Sequence, residues 1–94
     1  MGDMELRDDR VLRNLLTAEG RLHTIPSRHS KLLVVLDHIA QSFEPGQTYP
    51  EAEVNAIIER FHPDYAALRR YLVDNQFLTR EDAVYWRSGG TFDV

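Results

Sequence analysis

The side chains best suited to chemistry in this sequence are two adjacent arginines, Arg69 and Arg70, in a segment whose apolar residues have helical spacing. A guanidinium group can donate two parallel hydrogen bonds to the edge of a guanine base, and it also binds phosphate groups. Arg80 in a following strand-like segment, and Arg28 and Lys31 near the start of an earlier helical segment, could add contacts to a phosphate backbone. These five residues are therefore the candidate nucleic-acid-binding residues.

The same arginines also have an ordinary structural use. Arg70 and Asp74 are four residues apart and could pair on the surface of one helix. Arg69 could instead cover an aromatic ring or meet an acid of a neighbouring helix. Between Ser30 and Ser88 there are six basic and nine acidic residues, whereas a DNA-binding domain usually presents a basic surface. The arginine pair favours DNA binding, and the charge balance opposes it.

No other group of residues predicts a reaction. His62 and Asp64 flank Pro63 in a corner between two helical segments, where Asp64 is expected to cap the second helix and His62 to hydrogen-bond across the turn. No second ligand pair at a fixed spacing accompanies them, so the sequence predicts no metal site. There is no glycine-rich phosphate loop or nucleophile motif, and no cysteine. We therefore expect neither an enzyme nor a cofactor.

The composition is that of one ordinary globular domain. The chain has 94 residues, of which 43% are hydrophobic and 28% charged, with a formal net charge of -4. Its longest apolar run, Leu32 to Leu36, is far shorter than the ~20 residues needed to span a membrane. Because the first residues are charged and include no apolar leader, the expected location is cytoplasmic, with no membrane partner.

The first half of the chain predicts two helices joined by an extended piece. Asp8 or Asp9 is expected to cap a short amphipathic helix that Gly20 ends. Residues 21–26 are predicted to form a short edge strand. Ser27 or Ser30 is then expected to cap a helix that runs to about Phe43 and is followed by a tight turn at residues 44–47.

The second half predicts two helices and a hairpin. Pro50 is expected to be the first residue of a helix whose apolar stripe ends at Phe61. After the break at residues 62–64, a helix spans residues 64–75, and residues 77–87 form a β-hairpin with its turn near residues 81–83. Because neighbouring side chains of a strand alternate faces, Tyr85 and Trp86 cannot both be buried. Residues 88–90 are expected to be a flexible exit.

This order of elements predicts an α+β domain of the winged helix-turn-helix kind, with a three-helix core, a C-terminal β-hairpin wing and an additional N-terminal helix. The corresponding division is an N-terminal helix over residues 1–19, the winged-helix-like domain over residues 20–88 and a flexible tail over residues 89–94. In DNA-binding domains of this layout, the second helix of the pair enters the major groove and the hairpin lies along the backbone. Here those elements are residues 64–75 and residues 77–87.

The sequence also resembles a bacterial family of unknown function, DUF2087, over roughly residues 11–87. The resemblance is carried by Gly20-Arg21-Leu22, Ile25-Pro26, Arg60-Phe61-His62 with Asp64, Leu68-Arg69-Arg70, Leu72-Val73-Asp74, Leu78 with Arg80, and Tyr85-Trp86-Arg87. It implies a winged-helix-like domain that occurs alone or fused to transcription regulators of the ArsR or MarR kind. One departure is Pro50, where the family is expected to have Ser or Thr, so the hydroxyl half of a capping box with Glu53 is missing.

Two functions remain open at the level of the sequence. The first is a DNA-binding domain of a transcription regulator, with the partner a DNA duplex and a homodimer supplying two half-sites. The second is a winged-helix-derived protein-interaction or dimerisation module that does not bind DNA. One residue of the Tyr85-Trp86 pair must be exposed or cover a partner, and this, with the amphipathic N-terminal helix, supports the second function. The sequence does not say whether that helix packs on its own chain or on a second subunit.

Overall fold

Four helices and three strands make up the fold in the computed structural model, which describes residues 10–91. Helix α1 is described over residues 10–15 and is followed by α2 (His29–Ala40), β1 (Thr48–Pro50), α3 (Glu51–Glu59), α4 (Tyr65–Asp74), β2 (Leu78–Glu81) and β3 (Val84–Arg87). The expected caps Asp8 and Asp9 lie outside the described residues. The last two helices match the predicted ones closely, because their buried stripes are local features of the sequence, as is the Asp64 cap of α4.

The C-terminal hairpin belongs to a larger sheet than the sequence predicted. β1, β3 and β2 form a three-stranded antiparallel sheet in that spatial order, with Tyr49 opposite Tyr85. The prediction that Pro50 begins a helix was wrong. Pro50 has extended backbone (φ -68°, ψ 154°), ends β1 and precedes α3 as its N-cap. Residues 48–50 form a strand because they pair with β3. The local sequence does not predict this strand, since β3 lies more than 30 residues later in the chain.

The hydrophobic core lies between the inner face of the sheet and the facing sides of the last three helices. Its largest fully buried side chains are Tyr85, Phe43, Leu36, Ile39, Ile58, Leu68, Leu72, Leu78, Val35 and Val54. Helix α2 ends at Ala40 instead of Phe43, and its N-cap is Arg28, without a side-chain hydrogen bond, instead of Ser27 or Ser30. Phe43 is nonetheless buried, because its ring packs edge-on against Tyr49 with 5.1 Å between ring centroids.

Residues 16–26 do not form the predicted edge strand. Among the described residues, this segment has a single β-bridge, between Leu16 and Leu22. Gly20 has a φ of +85° and lies in the turn between the two bridged residues, so it does not cap α1, which ends at residue 15. The backbone N–H of Leu22 then donates to the carbonyl of Phe61 at 2.7 Å. Since Leu15 and Leu16 also pack against the core, α1 is attached to its own chain.

The corner between α3 and α4 has the predicted local geometry. The Asp64 carboxylate accepts a hydrogen bond from the Ala67 N–H at 3.3 Å, and His62 Nδ1 accepts one from the Asp64 N–H at 3.0 Å. The turn of the β2–β3 hairpin is also where it was predicted, with Asp82 at a φ of +56°. Both features depend on residues close together in the chain.

The chain after β3 is held against α2 through its last described residue. The Arg87 side chain is only 8% exposed and donates to the backbone carbonyls of Phe43, Gly89 and Thr91. Asp37 on α2 accepts hydrogen bonds from the N–H of Thr91 at 2.6 Å and from its hydroxyl at 3.0 Å. Residues 88–91, which the sequence predicted as exit and tail, are therefore tied to the domain.

The fold is thus α+β, with four helices and a three-stranded antiparallel sheet, and its layout is compatible with a winged helix. Of the helices described within residues 10–91, none has the length and apolar character needed to cross a bilayer.

Candidate nucleic-acid interface

The surface of α4 is set by its two buried leucines. Leu68 and Leu72 are fully buried against the core, so residues on the opposite side of the helix face outward. Ala66, Arg70 and Asp74 are all exposed and follow each other at intervals of four residues. Such spacing places them in one stripe along the helix. Arg70 is at the centre of that stripe.

A groove between α4 and the β2–β3 hairpin brings together three of the five candidate residues. It has a volume of about 230 Å³ and is lined by Ala66, Arg69, Arg70, Val73, Asp74, Arg80 and Tyr85. We call this the α4–hairpin groove. Three guanidinium groups and one carboxylate, that of Asp74, line it, so the groove is locally positive on a chain with net negative charge.

Arg69 is half-buried and hydrogen-bonds to the neighbouring helix. One of its terminal amino groups donates to the side-chain oxygen of Asn55 on α3. The sequence suggested an aromatic ring or an acid as its structural partner, whereas the hydrogen-bonded partner is a neutral amide. Asn55 was not identified from the sequence, because residues 55 and 69 meet only when the two helices pack together.

Arg70 is exposed, and the surface pair with Asp74 suggested by their spacing is not formed. Both side chains line the α4–hairpin groove. Within the described residues 10–91, the Arg70 guanidinium group has no hydrogen bond or ion pair. Its five N–H donors are therefore available to a ligand.

Arg80 is positioned by the hairpin itself. Its Nε–H donates to the carbonyl oxygen of Asp82 at 2.7 Å, and its Cζ lies 5.8 Å from the centre of the Tyr85 ring. Arg80 and Tyr85 are directly opposite each other on β2 and β3. The side chain is thus held over an aromatic face, and it lines the groove.

Tyr85 and Glu51 form a hydrogen-bonded pair beneath these arginines. The Tyr85 hydroxyl donates to Glu51 Oε1 at 2.7 Å, and Tyr85 is only 1% exposed. This hydrogen bond is the main cause that lowers the pKa of Glu51, and the charges of Arg69 and Arg80 act in the same direction. Burial, followed by the hydrogen bond to Glu51, raises the pKa of Tyr85. The sequence did not reveal this pair, because residues 51 and 85 meet only when α3 packs beside the sheet.

The other two candidate residues lie elsewhere on the fold. Arg28 is the N-cap of α2, and Lys31 is an exposed residue of its first turn. Neither lines the α4–hairpin groove. Trp86, the neighbour of Tyr85, is half-buried on the other side of the sheet, as the alternation of side chains along a strand required.

Charge is distributed unevenly along the chain. Residues 10–91 contain ten basic and ten acidic side chains, so the acidic excess comes from residues 1–9 and 92–94. Within residues 10–91 there is no group of three or more histidine and acidic side chains placed to hold a metal ion. The groove with its three arginines is therefore the feature of the described surface that best suits an anionic partner.

Comparison with known proteins places the chain in a family. The profile of the bacterial family DUF2087, described as an uncharacterized protein conserved in bacteria, matches residues 21–87. That range contains all the residues of the α4–hairpin groove as well as Asn55 and Glu51. No curated protein and no solved structure matches the chain. Since the match extends over more than half of the sequence, the chain belongs to the DUF2087 family.

Proposed function

We propose that this protein is a DNA-binding domain of the transcription-regulator type, with α4 as its recognition helix and the β2–β3 hairpin as its wing. The observation that carries the proposal is the meeting of Arg69, Arg70 and Arg80, from two different elements, in one groove. Two of these guanidinium groups hydrogen-bond to neutral acceptors and not to acids. The three arginines therefore face two nearby carboxylates, those of Asp74 and Glu51, and the groove keeps a positive charge.

The order of elements supports this assignment. The order of elements is α2, β1, α3, α4, β2 and β3, with the sheet order β1-β3-β2, and it is compatible with a winged-helix layout. In that layout the helix equivalent to α4 enters the major groove, and the hairpin contacts the backbone. Helix α4 has ten residues, hence a length of about 15 Å, and the major groove is about 12 Å wide.

Two of the groove arginines have distinct expected roles. Arg70 is the exposed arginine at the centre of the α4 stripe, so we assign it to the edge of a guanine base. Arg80 lies on the wing, where a contact to backbone phosphate is expected. Asp74 would face a phosphate unfavourably, but its carboxylate can accept a hydrogen bond from the amino group of cytosine. Arg28 and Lys31 on the first turn of α2 are further candidates for backbone contacts.

A selection from random DNA duplexes at two salt concentrations tests the proposal. We expect the protein to enrich a defined sequence and the Arg69→Ala/Arg70→Ala double variant to lose that enrichment. The matched control is Arg10→Ala/Arg13→Ala, which removes the same charge from exposed positions of α1. If no sequence is enriched, or if both double variants bind equally well, the DNA-binding proposal is wrong.

Salt dependence gives a second measure of the same interface. If each arginine that contacts phosphate releases a counterion, two to three such contacts give a slope of log K against log salt of about -2 to -3. The Arg80→Ala variant should reduce the magnitude of that slope by about one. An unchanged slope would show that Arg80 does not contact the backbone.

A second candidate function is a dimerisation or protein-interaction module without DNA binding. The observation in its favour is the outer face of the sheet, where Val84 is 41% exposed and Trp86 is half-buried beside it. Light scattering over a range of protein concentrations, for the native chain and Trp86→Ala, tests for self-association through this face. If the native chain is a monomer at all concentrations, the dimerisation proposal is wrong.

A further inference from the structure

We propose that the α4–hairpin groove is a site for one free phosphate group, as inorganic phosphate or as a phosphate monoester of a small molecule, and that its occupation competes with DNA. The phosphate site rests on the residues that line the groove and their contacts. Only the competition with DNA rests on the DNA-binding function proposed above.

The charge of the lining selects an oxyanion. Arg69, Arg70 and Arg80 face the groove, and Asp74 is the acid among the residues that line it. The carboxylate of Glu51, which accepts the hydrogen bond of the Tyr85 hydroxyl, also interacts with Arg69 and Arg80 and offsets part of their charge. A guanidinium group forms bidentate hydrogen bonds with phosphate that are stronger than those between neutral groups. Because three arginines exceed two carboxylates, an anionic phosphate group suits the groove better than a neutral ligand does.

The donors are also held in place before a ligand arrives. Arg69 is fixed by Asn55 through one terminal amino group, and Arg80 is fixed by the Asp82 carbonyl through Nε and by the Tyr85 ring. These contacts occupy one N–H group of each guanidinium and leave the others to the ligand. Side chains that are already ordered lose less conformational entropy on binding. Two of the three arginines are thus preorganised, and Arg70 closes on the ligand from α4.

The size of the groove limits the ligand to a small group. Its volume is about 230 Å³, below the roughly 300–1,000 Å³ of pockets that enclose drug-sized molecules. A phosphate group with its first substituent fits such a space, whereas a larger ligand would extend into solvent. A phosphodiester of a DNA backbone presents the same tetrahedral chemistry, which is why the two ligands would exclude each other.

Titration with inorganic phosphate, followed through the Nε–Hε NMR signals of the arginines, tests the site. We expect saturable shifts of the Arg69, Arg70 and Arg80 signals and none for Arg13, which lies on α1 outside the groove. The same titration with chloride at equal ionic strength should give no saturation. Shifts that do not saturate, or that chloride reproduces, would overturn the proposal.

Two substitutions at one position separate hydrogen-bond geometry from charge. Arg80→Ala is expected to weaken phosphate binding by about tenfold, the loss of one charge-assisted contact. Arg80→Lys keeps the charge but not the planar fork of donors, so it should weaken binding nearly as much. The Arg13→Ala control should leave the affinity unchanged. If Arg80→Lys binds phosphate as well as the native chain, the groove is only a region of positive potential and no built site.

A competition experiment with duplex DNA distinguishes this inference from the proposed function. We expect phosphate to displace an enriched duplex at concentrations that saturate the arginine signals, beyond the effect of chloride at equal ionic strength. If the duplex binds but phosphate gives no saturable shift, the phosphate site is wrong and DNA binding stands. If phosphate saturates the groove but no duplex is enriched, the DNA-binding function is wrong and the phosphate site stands.

Discussion

At the scale of single residues, the partners of the arginines determine what the groove can bind. Arg69 donates to the amide oxygen of Asn55, and Arg80 donates to a backbone carbonyl. These neutral acceptors orient the guanidinium groups without pairing either of them directly with an acid, and Glu51 and Asp74 are the carboxylates near them. The sequence identified the arginines from their residue type, but not their acceptors, since Asn55 is 14 positions away on another helix.

The Tyr85–Glu51 pair predicts a change in the pH dependence of folding. Because the fold lowers the pKa of Glu51, its stabilising contribution is present above its ordinary pKa of about 4.3 and is lost as the pH falls through the lower folded value. Tyr85→Phe removes the hydrogen bond that is the main cause of this shift. We therefore expect the variant to lose less stability than the native chain on acidification below about pH 4.3.

Urea unfolding at a series of pH values measures this difference. The matched control is Tyr49→Phe, which removes another buried hydroxyl, one that accepts a hydrogen bond from the Glu44 N–H at 2.8 Å. That variant should lower stability without altering its dependence on pH in the acidic range. Parallel pH profiles for Tyr85→Phe and the native chain would show that the hydroxyl does not set the pKa of Glu51.

Gly89 predicts a second effect at a single residue. A side chain at this position would overlap the carbonyl oxygen of Gln76, which is backbone and cannot move aside easily. Gly89→Ala is therefore expected to lower the free energy of unfolding by about 1–3 kcal/mol. The comparison variant is Gly20→Ala, which has open space around it but a φ of +85°, and its cost should be about 1–2 kcal/mol from backbone conformation alone.

Hydrogen exchange in residues 88–91 distinguishes the Gly89→Ala variant from the Gly20→Ala variant. Gly89 donates its N–H to the carbonyl of Phe77, so its replacement should also increase hydrogen exchange in residues 88–91. Gly20→Ala should leave that segment unchanged. Equal exchange of the segment in both variants would mean that Gly89 is not needed for the close approach to Gln76.

At the scale of elements, the α3–α4 corner was predictable because its determinants are local. The spacing of Leu68 and Leu72 identified the inner face of α4, and Asp64 was identified as its cap. Strand β1 was not predictable in the same way. Its three residues have too little alternation to stand out, and they are extended because they pair with β3, more than 30 residues later in the chain.

Two aspartates of α4 predict opposite effects on stability. Asp64 at the N-terminus accepts a backbone hydrogen bond, so Asp64→Ala should cost about 1 kcal/mol. Asp74 is at the C-terminal end, where a negative charge opposes the helix dipole, so Asp74→Ala should be neutral or stabilise the protein by up to about 0.5 kcal/mol. Chemical denaturation of both variants checks this. A similar loss from both would contradict the capping role of Asp64.

At the scale of the whole molecule, residues 88–91 are held against α2 by hydrogen bonds between Thr91 and Asp37. Arg87 donates hydrogen bonds to the backbone carbonyls of Phe43 and Thr91, and Asp37 accepts a hydrogen bond from the Thr91 N–H. The sequence predicted a flexible exit here because Ser88, Gly89 and Gly90 are typical of linkers. In the fold, two of these residues allow close approach: side chains at positions 89 and 90 would collide with Gln76 and Asp37.

The Asp37→Ala variant tests whether this contact holds residues 88–91 in place. The change removes both hydrogen bonds that Thr91 donates to the Asp37 carboxylate, so we expect faster hydrogen exchange at the Thr91 amide and a loss of about 1–2 kcal/mol in unfolding free energy. Glu44→Ala removes the same charge from an exposed turn and serves as the control. Unchanged exchange at Thr91 in the Asp37→Ala variant would show that residues 88–91 are held without this contact.

The sequence by itself determined the α+β class, the buried faces of the last three helices, the α3–α4 corner and the residue types that make nucleic acid a candidate partner. These features follow from periodicity and from contacts between residues a few positions apart. Only the tertiary structure shows which candidate residues lie close together. Arg69, Arg70 and Arg80 line one groove, whereas Arg28 and Lys31 lie outside it. Asn55 and Tyr85 hold Arg69 and Arg80 in position. The physical reason is that contacts across helices and strands depend on how the core packs, and no local pattern encodes that packing.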